Sequence, residues 1–276
     1  MTRGGEVRGR ILVTGAGTGI GRACALYLAE EGFHVIAAGR RLEPLEALAA
    51  EKPGTITPVS IDVTDPDNIA AAMATISPID GLVNNAGVAI MGAIEAVPVA
   101  EWRRQFEVNV FGVANMCQAV LPQMRQRGAG RIVNIGSVTG RLVPPFQGVY
   151  GSSKHAVEGL SDALRREVER YGIFVSVVRP GFVNTTFGEQ EQESLSQHRM
   201  DAYAEHHDRY AKWHHEKGHK VAPDPVIVAR EVEKALTAPK PRTRYACPAS
   251  ARRFILLRSI LPARMVDRMI DRTINS

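Results

Sequence analysis

Short apolar runs alternate with longer stretches of helical period along most of this chain. Arg10–Val13, His34–Gly39, Thr55–Ile61, Asp80–Asn84, Arg131–Gly136 and Phe174–Val178 are four to seven residues long and rich in Val and Ile. Most place apolar residues on successive positions, the pattern of strands buried on both faces. Between them lie RACALYLAEEG after Gly21, a segment opening at Pro66, a long one from about Pro98, and one carrying Tyr150. These have apolar residues at three- and four-residue intervals, as amphipathic helices do. Strands alternating with helices predict an α/β fold, a doubly wound parallel sheet with helices on both faces.

The turn after the first strand is TGAGTGIG, Thr14 to Gly21. A strand, a glycine-rich turn and a helix in that order open a dinucleotide-binding βαβ unit of the Rossmann fold. Gly15 suits the tight turn; Gly19 and Gly21 let backbone approach a pyrophosphate and the helix pack on the strand. The helix N-terminus supplies N–H groups for phosphates. The second strand ends in Gly39-Arg40-Arg41, where an acidic residue would select NAD through the ribose hydroxyls. A guanidinium there suits a 2′-phosphate, so NADP(H) is the expected cofactor, with NAD(H) the alternative. Arg41 reads equally well as a solvated helix start. Asp62 follows the third strand at the edge where an adenine would lie, and Asn84-Asn85-Ala86-Gly87 forms a turn at the carboxyl edge of the fourth.

Ser137, Tyr150 and Lys154 carry the candidate chemistry. Tyr150 and Lys154 stand at i and i+4, on one helix face, so an ammonium can sit near a phenol. A nearby cation favours the phenolate and would move the phenol from about 10 toward neutrality. Ser137, from a strand end, can hydrogen-bond a substrate oxygen. The same spacing also describes a half-buried aromatic beside a solvated lysine.

The ordered set TGAGTGIG, Asp62, NNAG, Asn109, Ser137, Tyr150/Lys154 and Pro180-Gly181 resembles the short-chain dehydrogenases/reductases over about Arg10–Ala246. The resemblance implies that Tyr150 is the general acid/base, that Lys154 tunes it and bonds the nicotinamide ribose, and that Ser137 orients the substrate oxygen. It implies that Asn109 holds a water linking Lys154 to solvent. It assigns cofactor contacts to Gly15, Thr18, Gly19, Ile20, Gly21, Arg40, Asp62, Val63, Asn85, Ala86, Gly87, Tyr150, Lys154, Pro180, Gly181, Val183 and Thr185, the last as partner of the carboxamide. A homodimer or homotetramer is implied too, through the Pro98–Gln126 helix and the small residues Ala156, Gly159 and Ala163.

Two stretches depart from minimal members, within an expected single domain over 1–276. The insertion 187–222 holds His198, His206, His207, His214, His215 and His219 without a ligand spacing, so no metal is expected. It reads as a helical lid with those histidines on its solvated face and Met200, Tyr203, Tyr210 and Trp213 lining a pocket. The extension 247–276 has Phe254, Leu257, Leu261, Val266, Met269 and Ile270 at amphipathic spacing, interleaved with six arginines. It is expected to pack on the body and close the substrate side; contact with anionic lipid is the less favoured reading. Extensions of this kind point to the steroid, retinoid and 3-hydroxybutyrate branch.

Composition changes little in this picture. Apolar residues at 45% and charged residues at 23% suit a soluble globular chain. From Lys240 onward there are nine Lys/Arg and two Asp; the rest holds 25 against 27, so the net +5 belongs to the tail. That excludes a diffuse basic face for nucleic acid. Three scattered cysteines, no signal segment and no apolar run of about 20 residues suit a cytoplasmic protein. The expected function is an NADP(H)-dependent alcohol/ketone oxidoreductase acting on an apolar, steroid- or retinoid-like substrate. The alternatives are a 3-hydroxy acid dehydrogenase and a non-catalytic NADP(H) sensor.

Overall fold

The computed structural model describes residues 8–76 and 78–275, apart from the side chains of residues 217 and 219. Seven parallel strands form one sheet in the order β3-β2-β1-β4-β5-β6-β7. They are β1 (Arg10–Thr14), β2 (His34–Gly39), β3 (Ile56–Ser60), β4 (Gly81–Asn84), β5 (Gly130–Ile135), β6 (Ile173–Pro180) and β7 (Arg244–Cys247). The expected doubly wound sheet is therefore present, with β7 as a strand that the apolar pattern had not marked.

One face is covered by α1 (Gly19–Glu30), α2 (Glu43–Glu51) and α9 (Val226–Thr237). Cys24, Leu28, Leu45, Leu48, Val228 and Val232 pack there against Ile11, Val13, Val35 and Val133. The other face carries α3 (Pro66–Ile76), α5 (Gly112–Arg127) and α6 (Gly148–Val168). Ile69, Met73, Met116, Val120, Val157 and Leu164 pack against Leu12, Ile36, Leu82 and Ile132. Successive strand residues thus point to opposite buried layers, which is why β1 reads Ile-Leu-Val without alternation.

The long helix from Pro98 is interrupted. α4 (Val99–Phe106) runs into a π-helical turn, Glu107–Phe111, before α5 begins, and Asn109 sits in that turn. α6 is held to the sheet by a shared carboxylate. Glu158 accepts from Arg179 of β6 at 2.6 and 2.9 Å and from Arg244 of β7 at 2.7 Å, with all three side chains largely buried.

The remaining helices stand over the carboxyl edge of β4, β5 and β6. α7 (Phe187–Gln197) and α8 (Ala204–Trp213) come from the insertion, and α10 (Ala249–Ile260) and α11 (Ala263–Ile274) from the C-terminal extension. α7, α8 and α11 share a small core of Met91, Phe146, Tyr150, Leu195, Tyr210 and Ile274. No helix among the described residues is long and apolar enough to cross a membrane.

Candidate active site

Strand order reverses between β1 and β4, and in open α/β sheets ligands bind beyond the carboxyl ends at such a point. A cavity of about 340 Å³ lies there. Its sheet side is formed by Gly15, Thr18, Gly19, Ile20, Asn85, Ala86 and Gly87. Its far side is formed by Phe187 and Glu191 of α7, Trp213 of α8, Ala251 and Phe254 of α10, and Ile270 of α11. Ser137, Tyr150 and Lys154 lie between, with Pro180, Gly181, Val183 and Thr185 above β6. A second hollow continues past Gly15 and Thr18 to Gly39, Arg40 and Arg41.

The turn after β1 is shaped for close approach. Gly15 has φ +64°, and a Cβ there would meet the Ala86 backbone at 2.9 Å. A Cβ on Gly21 would run into the Gly15 carbonyl and the Asn85 amide. Thr18 caps α1 without a side-chain hydrogen bond, and no acid stands in the first turn, so the helix N–H groups face the cleft. Asn85 braces the turn by donating from Nδ2 to the carbonyls of Thr14 at 3.0 Å and Gly15 at 3.2 Å. A strand-to-helix phosphate cradle, a groove ending at two exposed arginines and a hydroxyl-lined pocket match the parts of a nicotinamide dinucleotide phosphate.

Gly21, packed beneath the Gly15 carbonyl, Asp62 and Val63 are the expected cofactor residues that line neither hollow. Asp62 accepts from the backbone and hydroxyl of Thr64 at 2.9 and 2.8 Å, closing its own turn. Val63 is buried against Gly112.

The Tyr150 hydroxyl faces Ser137, which favours its ionised form. Ser137 Oγ in turn accepts from the Thr139 backbone at 3.1 Å and the Thr139 hydroxyl at 2.8 Å. Lys154 Nζ lies 5.6 Å from the Tyr150 ring centre and donates to the Ile135 carbonyl at 2.9 Å. Asn109 grips the loop after β4: its Oδ1 accepts from Val88 N at 2.9 Å, and its Nδ2 donates to Val88 O at 3.0 Å and Ser153 Oγ at 3.3 Å. The structure therefore gathers Ser137, Tyr150, Lys154 and Asn109 around one helix face.

The electrostatics depart from the expectation of a depressed phenol. Burial pushes the Tyr150 hydroxyl above its ordinary value, the Glu191 carboxylate adds to the rise, and the Ser137 hydroxyl opposes both. Burial likewise pulls the Lys154 ammonium down to about 8. Desolvation wins because all these groups lie under α7, α8 and α11. Glu191 was not anticipated. It occupies the buried stripe of α7 with Gly188, Ser194 and Leu195, and that spacing was the available signal. Beside it His214 approaches at 3.6 Å.

The insertion is less solvated than its histidines suggested. His207 and His214 are buried; His207 Nε2 bonds the Leu195 carbonyl at 2.9 Å. His198 bonds the Met91 carbonyl at 2.9 Å, and the His219 side chain lies outside the described residues. Trp213 lines the cleft as expected, but Tyr210 is buried behind it, bonded to Gln147, and Tyr203 is exposed and bonded to Glu95 at 2.7 Å. Met200 does not line the cleft, nor do Leu257 and Leu261. Among the described residues no cluster of three or more His, Cys, Asp or Glu could hold a metal ion.

Comparison with known proteins agrees with this geometry. The family described as short chain dehydrogenase matches residues 10–196. A short-chain dehydrogenase from Streptomyces avermitilis is 33% identical, with a TM-score of 0.81 over 97% of this chain and 98% of its own. Serine dehydrogenase complexed with NADP+ is 30% identical, with a TM-score of 0.76 over 87% and 95%. An NADPH-dependent 3-dehydrocapnine reductase from Ornithobacterium rhinotracheale is 33% identical over 94% of each chain.

Proposed function

The chain belongs to the short chain dehydrogenase family, an oxidoreductase acting on CH–OH and keto groups, and on that premise we propose that it reduces a ketone on a bulky, apolar substrate with NADPH. NADP(H) is its preferred cofactor, with NAD(H) accepted by the same fold. The observation that carries the reductive reading is the buried, proton-holding Tyr150 at the meeting of the glycine cradle and an apolar pocket. The Tyr150 phenol is protonated at neutral pH, as an ordinary phenol also is, and that is the form that can donate; its burial beside Glu191 makes it the weaker acid, which Lys154 must offset.

The hydride for the carbonyl carbon would come from NADPH when it is bound in the cleft. Its phosphates would be held by the turn from Gly15 to Gly21 and the open end of α1, and its 2′-phosphate by Arg40. As negative charge grows on the carbonyl oxygen, the Tyr150 hydroxyl gives it the proton. Ser137 hydrogen-bonds the same oxygen and keeps it in line with the phenol. The Lys154 ammonium, close by in a dry pocket, stabilises the phenolate left behind. Asn109 fixes the loop under the site.

Leu142, Pro144, Phe187, Trp213, Phe254 and Ile270 supply the apolar walls. Burying about 150 Å² of ligand against them contributes roughly 4 kcal/mol before ordering costs. Lys154 and Glu191 are the charged side chains that line the cavity, so a small hydroxy acid finds no cation beyond Lys154. Arg141 and His198 do not line it. This supports a steroid-, retinoid- or chain-like ketone over the 3-hydroxy acid reading. We further place the protein in the cytoplasm as one domain that pairs through α4, α5 and α6. Gly159 faces open space and Phe111 is 53% exposed, so neither is spent on its own sheet.

The test is NADPH consumption across a panel of small and bulky ketones, with Tyr150→Phe as control. Bulky apolar ketones should turn over best, and the variant should lose about 10²–10⁴-fold in rate while still binding NADPH. Retention of more than about a tenth of the rate would remove Tyr150 from its role. Absence of turnover on every ketone would favour a sensor.

A further inference from the structure

α10 is turned inside out relative to an ordinary surface helix. Its buried residue is Ala251, with Ile255 half-buried beside it. The opposite face, open to solvent, carries Leu256, Leu257 and Ile260, exposed by 61, 37 and 69%, with Phe254 at its edge on the cavity side, exposed by 43%. Arg253 stands exposed amid them. α11, by contrast, buries Val266 and Ile274, yet leaves Met265 and Met269 exposed at 49 and 38%. On the helical wheel those two methionines adjoin Arg264, Arg268 and Arg272, all exposed. Apolar side chains this exposed and this contiguous mark a contact surface.

We infer that the outward face of α10, with the methionine edge of α11, docks on an anionic lipid surface. Charge decides between occupants. α10 and α11 carry six arginines, of which Arg252 is paired with Glu231, against Asp267 and Asp271, so a second copy of this face would bring like charges together. A headgroup layer rich in phosphate meets the arginines while the acyl boundary takes Leu256, Leu257 and Ile260. The sequence disfavoured this contact on the expectation that Leu257 and Leu261 close the cleft, which they do not. Phe254 has a further part: it borders both the docking face and the cavity. On the reading of an apolar ketone substrate, the cavity then opens where such a substrate is dissolved.

Sedimentation of the full chain with phosphatidylcholine vesicles, with and without about a quarter phosphatidylglycerol, tests the docking without any turnover. Partition should be about tenfold or more stronger onto the anionic vesicles and should fall in high salt. Leu256→Glu with Ile260→Glu, both outward-facing, should bring it down to the neutral-vesicle level while NADPH binding and far-ultraviolet circular dichroism stay unchanged. Equal partition onto both vesicle types, or wild-type partition by the double variant, would overturn the docking. So would a wild-type oligomer that the double variant breaks into smaller species in light scattering, since a second copy would then cover the face. Vesicle binding without ketone turnover would leave the docking standing and sink the substrate reading alone.

Discussion

Replacing Lys154 with methionine should stabilise the protein while it removes activity, because the lysine sits where a charge is poorly solvated. Burial lowers its ammonium from 10.5 to about 8. A displacement of that size corresponds to about 3 kcal/mol against the charged form at neutral pH. Between about pH 8 and 10.5 the unfolded chain holds this proton and the folded chain does not, so stability rises with pH through that window. Below it the penalty is present in full. Methionine keeps most of the stem and removes the charge, but it leaves the Ile135 carbonyl without its 2.9 Å donor, a loss of roughly 1 kcal/mol. The net gain is about 2 kcal/mol at neutral pH, shrinking by about 1.4 kcal/mol per pH unit above about pH 8. Guanidinium denaturation of both proteins near neutrality and near the upper end of the window measures it, beside turnover and NADPH affinity, both of which should fall. A variant less stable than wild type near neutrality, or a difference that does not change with pH, would refute the reasoning.

Arg40→Ala should weaken NADP(H) binding by about 1.5–3 kcal/mol, the worth of a charge-assisted hydrogen bond, and barely alter NAD(H); calorimetric titration of both cofactors reads it. Glu158→Gln leaves Arg179 with a neutral partner and Arg244 with Asp162 alone, at about 2–4 kcal/mol for a clamp this little exposed, so the melting temperature should drop roughly 3–7 °C by calorimetry. A drop within about one degree would show that water already screens the clamp. Light scattering at micromolar concentration should give a dimer or tetramer, and a monomer would dismiss the α4–α6 interface.

The sheet was legible because buried strands write their burial directly as unbroken Val, Ile and Leu. β7 was not, since Arg244-Tyr-Ala-Cys247 is short and opens with an arginine whose partners, Glu158 and Asp162, lie far off in the chain. The catalytic set could be read from spacing, but its electrostatics could not. The i,i+4 step places Lys154 near Tyr150 without saying that helices from residues 187–213 and 249–274 roof them both. The histidines show the same limit. His207, Tyr210 and His214 fall at i, i+3 and i+7, a buried stripe by period, yet residue type pulled the reading toward solvent. Asp62 stands where an adenine contact is expected, and its Oδ1 also closes a local turn onto Thr64, which position in the chain did not foretell.

The roof over the cleft is built from α7, α8, α10 and α11, none of which contributes a strand or sets a register, while α9 and β7 between them belong to the core. The reacting groups and the nucleotide cradle therefore descend with the sheet, and the clientele descends with two detachable stretches. Drift within residues 187–213 and 249–274 can change what the cavity admits, or which surface the protein rests on, while the sheet keeps Tyr150 in place; at Glu191 such drift reaches the phenol's proton as well.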